Sequence, residues 1–452
     1  MRVHFIAMGG SIMHNLAVSL AKKGFIVSGS DDFIFEPSRS VLEAQGLLPE
    51  KLGWFPDRIT EELDAVILGM HARSDNPELL KAKSLGLQIY SYPEFIYEQA
   101  QEKLRVVIGG SHGKTTITSM IMHVLKTLGR DFDYVVGAQV EGFDRLVRIT
   151  KDSPLIILEG DEYLASAEDP RPKFLVYKAN IGLISGIAWD HINVFPTIEQ
   201  YEEQFNRFIE SIEEKGTLVY NKEDQKVQAL VSANKSKINK SGYRTPEYTI
   251  NKGETYLNTP QGDLHLQIFG RHNLSNLAGA YSVCEWLGVS RQDFYEAIQS
   301  FKGASQRMEY VSSRANSVVY KDFAHSPSKV AASIHALREQ YPQQQLVAVL
   351  ELHTYSSLNE AYLNEYKDSM DEAAYPVVFI NQASYKQKNL KPISEEALKK
   401  AFDNDRIAYI ITPEDLKAYL QDMDPDNKNL LFMSSGNFGG INIVNFADSF
   451  IS

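Results

Sequence analysis

Val106-Val107-Ile108-Gly109-Gly110-Ser111-His112-Gly113-Lys114-Thr115-Thr116 is the stretch on which the reading of this chain turns. An apolar, β-branched run feeds a glycine-rich turn, and the turn feeds a helical stretch from Ile117 to Leu128. Glycines let backbone N–H groups converge on phosphate oxygens, the helix that follows presents its positive end, and Lys114 adds a cation. Thr115 can place its hydroxyl on a magnesium ion. Ile108 stands where a full Walker A loop has its first glycine, which leaves the shorter form Gly110-x-x-Gly113-Lys114-Thr115. The candidate phosphate-binding set is therefore Gly110, Ser111, His112, Gly113, Lys114, Thr115 and Thr116.

Working outward from this loop, short apolar runs alternate with helical stretches in both directions. On the N-terminal side, Val3 to Met8, Phe25 to Ser28, Ala65 to Met70 and Gln88 to Tyr90 read as strands of a parallel sheet. The polar segment Tyr97 to Lys103 then marks a boundary near 103. Beyond the loop strand, Leu155 to Leu158 and Ile181 to Ile187 read as strands, 198–212 as a helix and 233–263 as a turn-rich, β-like insertion. Helical stretches at 274–287 and 291–300 precede a third alternation through Ser317 to Phe323, Leu346 to Leu350, Pro376 to Ile380, Ala408 to Ile411 and Leu430 to Met433. The expectation is an α/β protein of three domains, 1–103, 104–303 and 304–452.

The 452 residues agree with that division at roughly 150 per domain. Hydrophobic residues at 43% and charged residues at 23% describe an ordered globular chain and exclude global disorder. Acidic residues outnumber basic ones by 58 to 46, so the net charge of −12 gives no overall attraction to nucleic acid or to an anionic membrane. Anionic ligands need local cationic sites. The single cysteine, Cys284, lies on the apolar face of a helical run and reads as a packing residue in a reducing compartment. No stretch of about 18 apolar residues occurs, so neither export nor membrane spanning is expected, and the chain is assigned to the cytoplasm.

Acidic groups follow two of the central strands. Glu159-Gly160-Asp161-Glu162-Tyr163 ends one and Asp190-His191 closes the next, both expected at the carboxyl edge of the sheet, where open α/β folds bind ligands. These are the candidate metal ligands for a nucleotide triphosphate with magnesium. The first turn, Ala7-Met8-Gly9-Gly10-Ser11-Ile12, with Ser30-Asp31 after the second strand, imitates a dinucleotide fingerprint. Ala7 and Ile12 occupy two of its glycine positions, so the NAD fingerprint is incomplete, and a nucleotide-sugar pyrophosphate could use the same helix N-terminus. Later clusters are Gly270-Arg271-His272-Asn273-Leu274-Ser275-Asn276, Arg307, and Asp322-Phe323-Ala324-His325-Ser326-Pro327.

Taken in order, these motifs resemble those of the Mur ligases, the ATP-dependent amide-forming enzymes of bacterial cell-wall synthesis, over essentially the whole chain. The resemblance implies a Rossmann-like N-terminal domain, a central P-loop ATPase domain and a Rossmann-like C-terminal domain. It also implies roles. Lys114, Glu159 and His191 would be catalytic, with Thr115, Glu159 and His191 holding Mg²⁺. Asn276, Arg307, Asp322 and His325 would join the loop residues in binding ATP. Gly9, Gly10, Ser11 and Asp31 would hold the UDP-sugar. Within the family, Lys173 to Tyr177, Tyr320 to Pro327 and the run Phe432-Met433-Ser434-Ser435-Gly436-Asn437-Phe438-Gly439-Gly440-Ile441 resemble the branch that joins UDP-N-acetylmuramate to the recycled murein tripeptide L-alanyl-γ-D-glutamyl-meso-diaminopimelate. The expected route is an acyl phosphate, and the expected setting is peptidoglycan recycling, with a monomer as the working state.

Three positions depart from the family pattern. His353, in Leu350-Glu351-Leu352-His353-Thr354-Tyr355-Ser356, stands where the tripeptide branch has an arginine, and His353 and Tyr355 become candidate peptide contacts. Gly186 stands where an asparagine commonly precedes the Asp-His pair, and Asn206 lies about where several relatives carry a carbamylated lysine. The alternative acceptor is free L-alanine. Readings from other classes are a Rossmann oxidoreductase using the first domain and a P-loop regulatory switch.

Overall fold

The computed structural model describes residues 1–305, 307–314, 316–388 and 390–450. Two compact units are present. One comprises Met1–Ile187, Glu199–Arg244 and Gly279–Ala297, and the other comprises Ala188–Ile198, Thr245–Ala278 and Ile298–Ser452. No helix among the described residues is long and apolar enough to cross a membrane.

The first unit holds two sheets. Strands Ile26–Ser30, Arg2–Ile6, Ala65–Leu68 and Ile89–Ser91 lie side by side in that order, all parallel. Their apolar side chains are fully buried at Val3, Phe5, Ile6 and Ala65 to Ile67, as expected of a sheet covered on both faces. The larger sheet runs Asn239–Tyr243, Thr217–Asn221, Ile181–Ile184, Leu104–Gly109, Leu155–Glu159, Asp133–Val135 and Val147–Arg148. Only the short last strand is antiparallel to its neighbour. The strand that feeds the glycine-rich loop is central, so the ends of both neighbours flank the loop. Ile108 pairs with Glu159 on one side and Gly109 with Ile184 on the other.

The helix Ile198–Glu210 covers this sheet with an apolar stripe at helical spacing, Tyr201, Phe205, Phe208 and Ile209, all buried. Phe174 stacks on Phe208 with ring centroids 4.7 Å apart and meets Phe205 edge-on at 5.5 Å. Truncating such a buried ring costs about 3–5 kcal/mol. Tyr201, on the same stripe, reaches the site described below.

The second unit contains an antiparallel three-stranded sheet, Tyr248–Asn251, Glu254–Thr259 and Gly262–Leu266. It also contains a sheet in the order Glu309–Arg314, Ser317–Asp322, Lys428–Met433, Gln345–Glu351, Tyr375–Phe379 and Ala408–Ile410. Apart from the first strand the latter is parallel. Asp322 and Leu350 both pair with Met433, which brings three strand ends to one edge.

The α/β alternation expected from the sequence is present, and the strands Asp133–Val135, Val147–Arg148, Thr217–Asn221 and Glu309–Arg314 add to it. The strand expected over 181–187 stops at Ile184, because Ser185 and Gly186 turn to hydrogen-bond with the neighbouring loop. The β-like insertion divides: Asn239–Tyr243 joins the large sheet beside Thr217–Asn221, and the remainder forms the small antiparallel sheet.

Candidate active site

Two glycines of the loop are required by backbone geometry. Gly110 has φ +131°, and Gly113, at the cap of the helix Lys114–Thr127, has φ +78°. Both values lie in the region that side chains other than glycine rarely enter. A Cβ at Gly110 would also fall 2.0 Å from Ser185 Oγ. Ser185 is in turn a brace for the loop: its N–H donates to the Gly109 carbonyl at 3.2 Å and its hydroxyl donates to the His112 carbonyl. Ser111 donates its N–H to the Gly186 carbonyl at 3.0 Å and its hydroxyl to the same oxygen at 3.2 Å. Asp224 holds the far side of this turn, accepting from the Ile187 N–H at 3.0 Å while capping the helix Gln225–Ala233.

Gly186, one of the departures from the family pattern, has a steric reason here. The His112 imidazole occupies the space a side chain would fill, with Cε1 only 2.0 Å from an ideal Cβ at 186. A larger residue would displace that ring.

Lys114 lies among oxygen atoms. Its Nζ donates to the Gly110 carbonyl at 2.7 Å and to Glu162 Oε2 at 2.6 Å, with Asp161 Oδ1 at 3.9 Å. Burial pushes the lysine pKa down, but Glu162, Asp161 and Glu159 outweigh it and hold the ammonium above its ordinary value. Glu162 is 1% exposed and its second oxygen accepts from Tyr201 at 2.9 Å. Asp161 pairs with Lys173 at 2.7 Å. Thus Glu162, which the sequence placed among the candidate metal ligands, pairs with the loop lysine, and Tyr201 and Lys173, given no site role from the sequence, complete its surroundings. No local pattern pointed to Tyr201, which comes from a distant helix.

Thr115 Oγ1 donates to Glu159 Oε1 at 2.8 Å, and the other carboxylate oxygen accepts the Gly137 N–H at 2.8 Å. A hydroxyl and a carboxylate at the end of a phosphate-binding loop are hard oxygen donors of the kind Mg²⁺ takes, so these two residues fit the ion.

The N-terminal turn is built differently. Asp31 is 6% exposed, and its carboxylate accepts from the Gly9 N–H at 2.6 Å and the Phe33 N–H at 3.3 Å. Burial raises its pKa, against those two N–H donors and together with neighbouring Asp32. The carboxylate is thus turned onto the loop backbone. Ala7 takes φ +65°, and Gly10 caps the helix Ser11–Lys22 at φ −60° without a side-chain cap.

In the second unit, His191 has φ +56° and donates its N–H to Asp190 Oδ1 at 2.7 Å. Burial raises Asp190, yet His191, Lys329 and His325 together hold it below the usual carboxylate range. His325 Nδ1 lies 2.9 Å from the Phe323 carbonyl, and burial, then Lys329, pushes its pKa down to about 3. The Arg307 guanidinium sits 4.6 Å over the Phe323 ring. Asp322 accepts from the Met308 N–H at 3.2 Å and from Ser333. Asn276 is buried in the helix Arg271–Trp286. His353 lies against Gly436, whereas Tyr355 is exposed. The second unit therefore gathers Asp190, His191 and His325, and places Arg307 and Asp322 beside Phe323.

Three family models match the chain: the Mur ligase family catalytic domain over residues 2–104, the Mur ligase middle domain over 108–284, and the Mur ligase glutamate ligase domain over 306–436. A UDP-N-acetylmuramate–L-alanine ligase from Clostridium kluyveri is 31% identical over 393 residues, covering 84% of this chain and 83% of that protein. The chain belongs to the Mur ligase family. Its three-domain α/β architecture is that of the family, and it is an ATP-dependent ligase that forms amide bonds in peptidoglycan metabolism. Among solved structures, the UDP-N-acetylmuramate:L-alanyl-γ-D-glutamyl-meso-diaminopimelate ligase from Neisseria meningitides is similar at a TM-score of 0.59 and 25% identity, covering 67% of this chain and 98% of that one. A UDP-N-acetylmuramate–alanine ligase from Thermotoga maritima shares the fold at a TM-score of 0.69 and 19% identity, covering 99% and 98%.

Proposed function

We propose that this Mur ligase joins the carboxylate of UDP-N-acetylmuramate to the amine of L-alanine at the expense of ATP. The observation that carries the choice of acceptor is the 31% identity to the L-alanine-adding relative over most of both chains. A second reading has the L-alanyl tripeptide as acceptor; the 25% identity to the peptide ligase structure and the run Ser434 to Ile441 favour it. Both acceptors present an L-alanyl amine to the same donor, so the chemistry is shared. The three domains are assigned to 1–103 for the nucleotide sugar, 104–303 for ATP and 304–452 for ATP and acceptor.

A carboxylate does not react with an amine at neutral pH, because its carbonyl carbon is electron-rich and oxide is a poor leaving group. In the proposed sequence a muramate carboxylate oxygen attacks the γ-phosphorus of ATP, releasing ADP and leaving an acyl phosphate. The amine nitrogen then attacks the acyl carbon, expelling phosphate and losing a proton. Lys114 exchanges Glu162 for phosphate oxygens, and the loop amides from Gly110 to Thr116 fix the triphosphate against displacement. Asn276, Arg307, Asp322 and His325 bind the remainder of ATP. His325, kept neutral by burial, can accept or donate a hydrogen bond there. Thr115, Glu159 and His191 are assigned to magnesium, which when bound neutralises phosphate charge. Gly9, Gly10 and Ser11 bind the nucleotide sugar, with Asp31 fixing their backbone.

Incubation of the protein with ATP, UDP-N-acetylmuramate and either L-alanine or the tripeptide, followed by mass spectrometry, tests both readings. The expected product carries one alanyl residue and appears only with ATP. Coupling of the tripeptide with no alanine product would transfer the assignment to the second reading, and absence of both products would end it.

A further inference from the structure

A buried carboxyl group stands at the edge where three strands of the second unit end. Glu351, the last residue of Gln345–Glu351, is 2% exposed, and among the described residues no lysine, arginine or histidine forms an ion pair with it. Burying a carboxylate without a counter-charge is costly unless its oxygens are taken up by hydrogen bonds. Here Oε2 accepts from the Ser434 hydroxyl and from the Phe438 N–H at 2.9 Å. Ser434 also accepts the Gly436 N–H at 2.6 Å, so the turn from 434 to 438 is wound around one carboxylate oxygen.

The turn needs that support. Phe438 has φ +50°, followed by Gly439 at +65° and Gly440 at +91°. Holding a phenylalanine in this region costs on the order of 1–3 kcal/mol. The fit is also close: a Cβ on Gly436 would lie 2.7 Å from Glu351 Oε2 and 2.9 Å from His353 Cγ. The imidazole and the carboxylate therefore press on the same glycine from the side of the strand end. The turn also walls a cavity of about 410 Å³, lined by Asp322, Phe323, Ser434, Ser435, Gly436 and Asn437 among others. Among the described residues the Ser435 hydroxyl oxygen has no hydrogen-bond partner, though it is buried.

We propose that Glu351 is a positioning residue for acceptor recognition: through the Ser434 hydroxyl and the Phe438 amide it fixes the turn on which His353 rests and which forms the cavity wall. This rests on the ligase reading above and adds a residue that acts without touching the substrates.

The test compares Glu351→Ala with Glu351→Gln in the full chain, measuring KM for each of the three substrates, kcat, and hydrogen exchange of the peptide spanning 430–441. Glu351→Ala is expected to raise the acceptor KM at least 10-fold, to change the KM for ATP by less than that although Asp322 lines the same cavity, to leave the KM for UDP-N-acetylmuramate within 2-fold, and to speed exchange in that peptide. Glu351→Gln keeps an oxygen that can accept both bonds, so it is expected to restore the acceptor KM to within about 3-fold. An unchanged acceptor KM in Glu351→Ala, or a parallel rise in all three KM values, overturns the proposal. If Glu351→Ala aggregates, Ser434→Ala supplies the same comparison, because it removes one of the two bonds to the carboxylate. Failure of wild-type protein to couple either acceptor overturns the ligase reading itself, whereas failure confined to the Glu351 and Ser434 variants' predicted KM pattern overturns this inference alone.

Discussion

The two strand–turn–helix units of the first compact body, Ile6 to Ser11 and Gly109 to Lys114, have the same outline and opposite electrostatics. The central loop is built from glycines that the backbone requires, with a lysine held among three carboxylates. The N-terminal turn holds no lysine, and its one buried acid, Asp31, is occupied by the Gly9 amide. Its Gly10 has φ −60°, and a Cβ there would meet nothing closer than 3.6 Å. Conformation does not demand that glycine. The difference teaches that a glycine-rich turn is either a consequence of chain geometry or space left for a ligand, and that the two are separable. It also matches the proposed ligands. A triphosphate undergoing transfer needs a mobile cation, whereas a pyrophosphate that is only held needs amides and a helix end.

The largest expected effect comes from removing the cation. Lys114→Ala should lower kcat by about 10³-fold or more, the scale of losing a charge-stabilising group at the reacting centre. Because that change also leaves Glu162 buried without its ion pair, Lys114→Ala/Glu162→Gln should recover thermal stability and not turnover. Steady-state rates with thermal melts check both; equal activity in the single variant would erase the contrast between the loops.

Next in size is a glycine comparison. Gly110→Ala should lose about 1–3 kcal/mol of stability from the left-handed backbone alone, before the clash with Ser185. Gly10→Ala should remain within about 0.5 kcal/mol of wild type, as surface substitutions do, yet raise KM for UDP-N-acetylmuramate. Urea titration and initial rates separate the two, and a Gly10→Ala protein unchanged in both would show that this glycine serves no ligand.

Asp31→Ala removes hydrogen bonds to a charged acceptor, worth about 1.5–3 kcal/mol each at most. It should raise KM for the nucleotide sugar by roughly 10-fold at about 1.4 kcal/mol per decade, with KM for ATP unmoved. An effect on ATP instead would mean that the two turns are not independent.

The smallest effect is in pH. Lys114 has a folded pKa above its unfolded value, so its pairing contributes fully below the ordinary lysine range and is lost as pH rises through the raised folded value. Melting temperatures of wild type and Lys114→Met should therefore converge only in strongly alkaline buffer. Convergence near neutrality would contradict the carboxylate environment.

What could be read from the sequence was whatever the chain encodes locally. Branched apolar runs such as Val106 to Ile108 and Leu346 to Leu350 announce covered parallel strands, because both faces must be apolar. Asn239–Tyr243 has no such run; it is an edge strand with only Tyr243 buried, and its pairing with Thr217–Asn221 follows from position alone. The same holds at the site. Gly110, Gly113, Lys114 and Thr115 lie within one loop and declare themselves by spacing. Tyr201 reaches Glu162 from a separate helix, and Glu351 reaches Phe438 from the end of the neighbouring strand, contacts that no local pattern contains. Asp31 was legible as an acid after a strand, but not as one turned inward.

The packing of His112 against Gly186 carries an evolutionary consequence. A lineage that gains a side chain at 186 must rehouse the imidazole in the same step, so these two sites, distant along the polypeptide, are constrained to drift together. Their joint state then becomes a marker by which descendants of this particular loop can be told from their cousins.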